Sequence, residues 1–170
     1  MIVLLQRVRR AAVAVREDAG EAKGAGAAER PVSEIGRGLL ALVCAEPGDT
    51  PERVRKAAAK TARLRVFEDA SGRMNRSVLD AGGAVLAVSQ FTLAADVSGG
   101  NRPSFSGAAE PGLARERFAQ YCLLYTSDAA DEEYVSELRA LGLKVGEGVF
   151  GAHMIVSLEN DGPATFPMRF

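Results

Sequence analysis

Gly38-Leu39-Leu40-Ala41-Leu42-Val43-Cys44-Ala45, followed by Thr50-Pro51-Glu52, is the stretch on which the fold turns. Eight residues without a charge suit a strand buried on both faces, as in parallel sheets. Thr50 then caps a helix and Pro51 fits its first position, where no backbone donor is needed. Val54, Ala57, Ala58, Thr61 and Leu64 recur at helical spacing as the inward stripe, and Arg53, Lys56, Lys60 and Arg63 face water. After the turn at Gly82-Gly83, a second apolar run, Ala84–Phe91, reads as the next strand. A strand, a helix and a strand in this order predict parallel pairing.

Working outward, Met1–Val8 and Ala11–Val15 read as two strands, with Val13 and Val15 on one face and small alanines opposite. Glu17–Pro31, rich in Ala, Gly, Glu and Lys, reads as a loop. Ala95–Ser106 is a polar, glycine-rich loop, and Pro111–Leu141 is nominally the second helix. Lys144–Phe150, His153–Leu158 and Thr165–Phe170 complete the pattern as three strands. The predicted order is β-β-β-α-β-α-β-β-β. The expected fold is a layered α/β/β domain with a mixed sheet and both helices on one side.

At 170 residues the chain is expected to form a single domain spanning residues 1–170. Its hydrophobic content of 47% is ordinary for a globular protein. No window approaches the ~20 apolar residues of a membrane span, so no membrane partner is expected. Gln6, Arg7, Arg9 and Arg10 interrupt the short N-terminal apolar run, which therefore lacks a signal-peptide pattern. Cys44 and Cys122 make no disulfide framework, and a cytoplasmic protein is the default. A net charge of -1 gives no global basic field. A nucleic-acid partner would be held locally, with Arg7, Arg9, Arg10, Arg102, Arg115 and Arg117 as candidates.

Two segments carry the chemistry. Asn160-Asp161-Gly162-Pro163-Ala164-Thr165 stands where the alternating run His153–Leu158 stops. Glycine opens backbone angles closed to other residues, and proline fixes its own φ and donates no hydrogen bond. Such a segment can present rigid, unpaired carbonyl groups to something outside the chain, although a lone Gly-Pro is most often an ordinary turn. Ser89-Gln90-Phe91-Thr92-Leu93 lies at a strand's C-terminal end, where ligands gather in βα sheets. Its hydroxyls, amide, backbone donors and one aromatic face could line a pocket, or simply feed a loop.

Other chemistries are thinly represented. His153 is the single histidine, which excludes a two-histidine metal site and limits any His-paired nucleophile to this residue. No Gly-x-Ser-x-Gly elbow, Walker loop or Cys-x-x-Cys occurs. Gly146-Glu147-Gly148-Val149-Phe150-Gly151 has the bare spacing of a dinucleotide fingerprint, but it leads from helix to strand, the reverse of the required context. An enzyme built this way is expected to use no metal, cofactor or histidine base. Its substrates would be already activated or able to assist themselves.

Taken together, the two segments resemble the D-aminoacyl-tRNA deacylase family, which pairs Ser-Gln-Phe-Thr-Leu with a C-terminal Asn-x-Gly-Pro-x-Thr. Shorter matches follow in order: Gln6-Arg7-Val8, Glu34–Leu40, Phe67-Glu68-Asp69, Met74-Asn75, Gly82-Gly83 and Arg102–Ser106. The resemblance implies a homodimeric hydrolase that removes D-amino acids and mischarged glycine from tRNA, with its site at the dimer interface. Ser89, Gln90, Phe91 and Thr92 would be the catalytic segment. Gly162 and Pro163, with Asn160 and Thr165, would bind substrate and reject L-aminoacyl groups from the partner's pocket. Arg7 and Met154 would be supporting residues. The chemistry would rest on the substrate's own 2′-hydroxyl and backbone groups, without a cofactor or metal. The rival readings are an esterase or amidase on small D-amino-acid derivatives and a non-catalytic RNA- or protein-binding dimer.

Three departures from that pattern stand out. His153 replaces the usual Asp before the methionine of the penultimate strand, and the loop Glu17–Pro31 is longer than usual. Cys122–Tyr134 interrupts the second helix with thirteen residues. Kept as continuous helix, it would rotate the later face by about 220° at ~3.6 residues per turn. Excised, it would join Tyr121 to Val135 and restore the apolar spacing through Phe118, Tyr121, Val135, Leu138 and Leu141. The run Cys122–Glu132 also looks like a translated sequencing-library adaptor. The stretch is therefore read as an assembly artefact, with a genuine acidic surface insertion as the alternative.

Overall fold

A computed structural model describes residues 1–17, 28–123 and 143–170. The central unit is the one the apolar runs predict. Strand β3 (Gly38–Cys44) leads into helix α1 (Pro51–Arg63), and the chain returns through β6 (Ala84–Ser89) parallel to β3. Thr50 accepts a hydrogen bond from the Arg53 N–H at 3.3 Å, so the expected cap is formed. Gly38 lies so close to the Ala84 backbone carbonyl that any side chain would collide with it, which explains a glycine at the start of this largely buried strand.

Strand β1 (Ile2–Glu17) is one continuous strand where the sequence suggested two. Its first half pairs antiparallel with β3, and its second half pairs with β2 (Ala28–Ile35). Along its other edge runs β8 (Met154–Arg169), which joins the two C-terminal strands expected separately. Register shifts near Val8 change the face that β1 buries. Val3 and Leu5 join the core beneath the helices, whereas Val8, Ala11 and Val13 join the core on the opposite face. A one-residue slip of this kind turns every later side chain over.

The main sheet therefore has the order β2-β1-β3-β6-β7, with β8 on β1 and β7 (Lys144–Glu147) parallel to β6. Both described helices, α1 and α2 (Pro111–Leu123), bury residues in the same core, so they lie on one side. Leu40, Leu86 and Val88 on the other face pack against β1 and β2, completing the α/β/β layering. Phe67–Glu68 (β4) and Met74–Arg76 (β5) form a separate two-stranded hairpin. Ala28–Pro31, expected to be loop, belongs to β2; its exposed, charged residues gain strand structure from pairing with β1. Residues 18–27, expected as loop, and residues 124–141, expected as helix, lie outside the described residues.

Candidate active site

Strands β3 and β6 run parallel and end at the same edge, and a cavity of about 510 Å³ opens there. Val43, Cys44 and Val88 form its floor, because the last residues of buried strands remain apolar. Ser89 and Gln90 supply its polar edge. No described residue hydrogen-bonds the half-buried Ser89 hydroxyl. After Gln90 the chain enters a short 3-10 turn, Phe91–Ala94. Such a turn bonds each N–H three residues back, as Leu93 does to Gln90 at 3.3 Å. The N–H groups of Phe91 and Thr92 therefore have no partner inside the turn. Gln90 Nε2 donates to Thr92 Oγ1 at 2.5 Å, which ties the two polar side chains together.

Aromatic rings frame the opening. Phe91, 56% exposed, meets Phe105 edge-to-face at 5.0 Å. Phe105 is brought there by the loop after Thr92, which closes on itself through paired Asp96 and Ser104 and then bonds Ala109 N–H to the Ala45 carbonyl. Phe118 of α2 and Phe150 after β7 form the far wall, with ring centroids 6.2 Å apart. Met154 and Val156 at the start of β8 cover the cavity from the second layer. The run Gly146–Gly151 thus ends in a pocket wall through Phe150 and Gly151, because β7 ends at the same edge as β6. Cys44 is a buried free thiol, and desolvation, followed by the nearby Glu46 carboxylate, pushes its pKa up from 9.0 to about 11. It is a poor nucleophile in this state.

The second segment lies elsewhere. Between the pairs Gln6–Thr165 and Val8–Asn160, β8 has extra residues that bulge out of the ladder. This bulge carries Asp161, Gly162, Pro163 and Ala164. The Gly162–Pro163 bond is cis, and both residues are exposed. Asn160 spans the neck: its Oδ1 accepts from the Ala164 N–H at 2.7 Å, and its Nδ2 donates to the Ala164 carbonyl and to Thr165 Oγ1, each at 3.3 Å. Gln6 also donates to Thr165 Oγ1 at 3.3 Å. Arg7, only 4% exposed, supports the bulge from below. Its Nε donates to the Asp161 carbonyl at 3.0 Å, and its Nη1 to the Val66 carbonyl at 2.6 Å.

One chain therefore brings Ser89, Gln90, Phe91 and Met154 into one pocket and gathers Arg7, Asn160, Gly162, Pro163 and Thr165 into one braced bulge. No residue of the bulge lines the pocket. Thr92 stands beside the pocket rather than in its lining, and His153 is an exposed residue just before β8 whose carbonyl accepts from the Arg16 N–H. Among the described residues, no three His, Cys, Asp or Glu side chains converge as metal ligands, and no helix is long and apolar enough to cross a membrane.

Fold and pocket define a class: a layered α/β domain with a cavity at the ends of its parallel strands, between apolar walls and a short polar edge. Residues 4–169 match the family model described as D-Tyr-tRNA(Tyr) deacylase. The chain is 54% identical over 132 residues to a protein of Deinococcus radiodurans named D-aminoacyl-tRNA deacylase, covering 78% of this chain and 82% of that one. It is 50% identical over 169 residues to a protein of the same name from Aromatoleum aromaticum, covering 99% and 95%. A solved structure titled c-Myc DNA Unwinding Element Binding Protein superposes with a TM-score of 0.77 at 33% identity, covering 100% of this chain and 99% of that one. A probable eukaryotic D-amino acid tRNA deacylase shares the fold at a TM-score of 0.72 and 17% identity, covering 98% and 97%. The chain belongs to the D-Tyr-tRNA(Tyr) deacylase family.

Proposed function

We propose that the chain hydrolyses the ester bond of D-aminoacyl-tRNA, and of glycine mischarged on tRNA, as a cytoplasmic homodimer. Each chain's Gly162–Pro163 bulge would close its partner's pocket. The observation that carries this reading is the separation just described: a pocket open at its mouth, and a rigid backbone projection with no pocket of its own to enter.

The chemistry needs little from side chains. Water adds to the ester carbonyl, the oxygen of that carbonyl becomes an oxyanion, and the ribose oxygen departs with a proton. The vicinal 2′-hydroxyl of the terminal ribose is already in place to assist the proton movements. The N–H group of Phe91, a lining residue, would be the donor for the oxyanion, and one preorganised donor of this kind is worth roughly 2.7–4 kcal/mol. Ser89 and Gln90 orient the ribose and ester, which turns an encounter into a positioned reaction. A wall of Gly162 and Pro163 excludes an L side chain by contact. Glycine has no side chain to exclude, so the same wall admits it.

The test is deacylation of tRNA charged with matched D- and L-amino acids, beside a free D-amino-acid ester. Selective release of the D-amino acid from tRNA is expected. Equal hydrolysis of the free ester would favour a general esterase, and binding of charged tRNA without turnover would favour a non-catalytic role.

A further inference from the structure

Arg115 sits in the second turn of α2, with its guanidinium carbon 4.7 Å above the centre of the Phe150 ring. That ring is a pocket wall and is held from its other neighbour by the buried Phe118. A guanidinium laid on an aromatic face is held in place by cation–π attraction, and its N–H groups stay free along the edge of its plane. Some arginines have their charge matched, such as Arg10 by Glu159 at 2.7 Å, Arg30 by Glu17 at 2.9 Å and Arg117 by Glu116 at 2.8 Å, and Arg37 lies over Phe67, a buried core ring that lines no pocket wall. Exposed Arg115 makes no ion pair among the described residues.

The cavity's size is that of a small-molecule site, large enough for a terminal nucleoside with its aminoacyl group. The rest of a nucleic acid must leave across the rim, and the first charged group it carries there is a phosphodiester. Across the opening, Phe91 and Phe105 offer aromatic edges and faces of the kind that single strands stack upon. A guanidinium held on Phe150 at the rim of such a pocket, with no ion pair among the described residues, fits a phosphate and has no role inside the cavity.

We propose that Arg115, mounted on Phe150, is the phosphate contact for the 3′-terminal nucleotides of the tRNA. This rests on the tRNA reading above and adds to it the place where the strand leaves the pocket. Arg115 is a positioning and binding residue for the polynucleotide, not a catalytic one. Lysine in its place would keep the charge but lose the guanidinium's contact with the ring and its paired donors.

The experiment compares Arg115→Gln, Arg115→Lys and the unaltered chain on two substrates, D-aminoacyl-tRNA and D-aminoacyl-adenosine, which has the ester but no phosphate. For Arg115→Gln, KM for the charged tRNA is expected to rise about tenfold with kcat nearly unchanged, since a charge-assisted contact is lost. The salt slope of log(kcat/KM) should shrink by about 0.7, the share of one single-strand phosphate. Loss on D-aminoacyl-adenosine should be at least about fivefold smaller than on tRNA, and Arg115→Lys should fall between the other two. An unchanged KM and salt slope would overturn the proposal, and so would an equal loss on both substrates, which would mark a damaged pocket. If the unaltered chain cleaves D-aminoacyl-adenosine but not charged tRNA, the proposal fails and an esterase reading stands. If it cleaves neither, the functional reading itself has failed.

Discussion

Replacing Arg7 by methionine tests whether the Gly162–Pro163 bulge depends on its brace. The substitution keeps an unbranched apolar stem in a site that is 4% exposed, so the main loss is polar. Two backbone acceptors lose a charged donor, the Val66 carbonyl at 2.6 Å and the Asp161 carbonyl at 3.0 Å. Hydrogen bonds to charged groups contribute about 1.5–3 kcal/mol each. The ion pair of Arg7 Nε with Asp161 Oδ2 at 3.3 Å adds little, because the Asp161 side chain is 39% exposed and solvent screens it. Against these losses stands the relief of no longer burying a guanidinium. The net destabilisation is expected to be about 2–4 kcal/mol, a fall in Tm of roughly 5–12 °C for a chain of this size. Urea unfolding should show a lower midpoint at an unchanged slope, which marks lost stability rather than altered compactness. The bulge should also shift, so the ratio of D- to L-aminoacyl-tRNA hydrolysis is expected to fall about tenfold, the equivalent of ~1.4 kcal/mol. A midpoint shift with undiminished chiral discrimination would refute the claim that Arg7 positions the wall. No shift in either would refute the energetic argument as well.

Gly162→Ala should have a local effect on the same wall. Gly162 has φ +142°, and an added Cβ would stand 2.8 Å from the Ala164 nitrogen and 3.0 Å from the Ala164 Cβ, so the bulge must move at a cost of about 1–3 kcal/mol. Release of L-amino acids from charged tRNA should rise relative to D; unchanged discrimination would count against the filter. Cys44 should resist alkylation, because its pKa of about 11, against 9.0 for an ordinary thiol, leaves about a hundredfold less thiolate near neutrality. The sign for stability follows: the raised folded-state pKa favours folding below about pH 9, and this contribution is lost as pH rises through about 11. Iodoacetamide labelling of the native protein across pH 7–10 checks this, and rapid modification near pH 8 would contradict it.

The parts of the fold that sequence revealed are those where one local signal dominates. The uncharged run Gly38–Ala45, the cap at Thr50 and the run ending at Ser89 announce a β-α-β unit, and the pocket edge follows from where those strands stop. Strand β2 was hidden, because Glu29, Arg30 and Pro31 read as loop until β1 supplies a partner. The unity of β1 was hidden for a related reason: exposed Arg9 and Arg10 mark a change of buried face, not a break. In the pocket, Ser89, Gln90 and Phe91 were legible from their place at a strand end. Phe105, Phe118 and Phe150 were not, since three distant segments bring them together and no spacing records that. Phe150 lies in the run Gly146–Gly151, whose motif spacing points to a different context. Parallel pairing of β7 with β6 was the signal that could have placed it at the same edge.

Helix α2 bears on the stretch Cys122–Tyr134, which begins at its last two residues. Its site-facing residues, Pro111, Ala114 and Phe118, all precede Cys122, and Tyr121 anchors the helix by donating to Thr61 Oγ1 at 2.7 Å. Cys122 is 1% exposed and packs in the core, while residues 124–134 lie outside the described residues. Removing residues 122–134 would put Val135 at the position Cys122 now fills. A buried apolar site would again receive an apolar side chain, and such swaps usually cost less than about 1.5 kcal/mol. We infer that this stretch is foreign to the fold and dispensable for it. The shortened chain should unfold at a urea midpoint equal to or above that of the full chain, and should deacylate D-aminoacyl-tRNA at least as fast. A shortened chain that fails to fold, beside an active full-length one, would show that the insertion is a working part of the helix. Finding those codons in the intact source gene would independently sink the artefact reading.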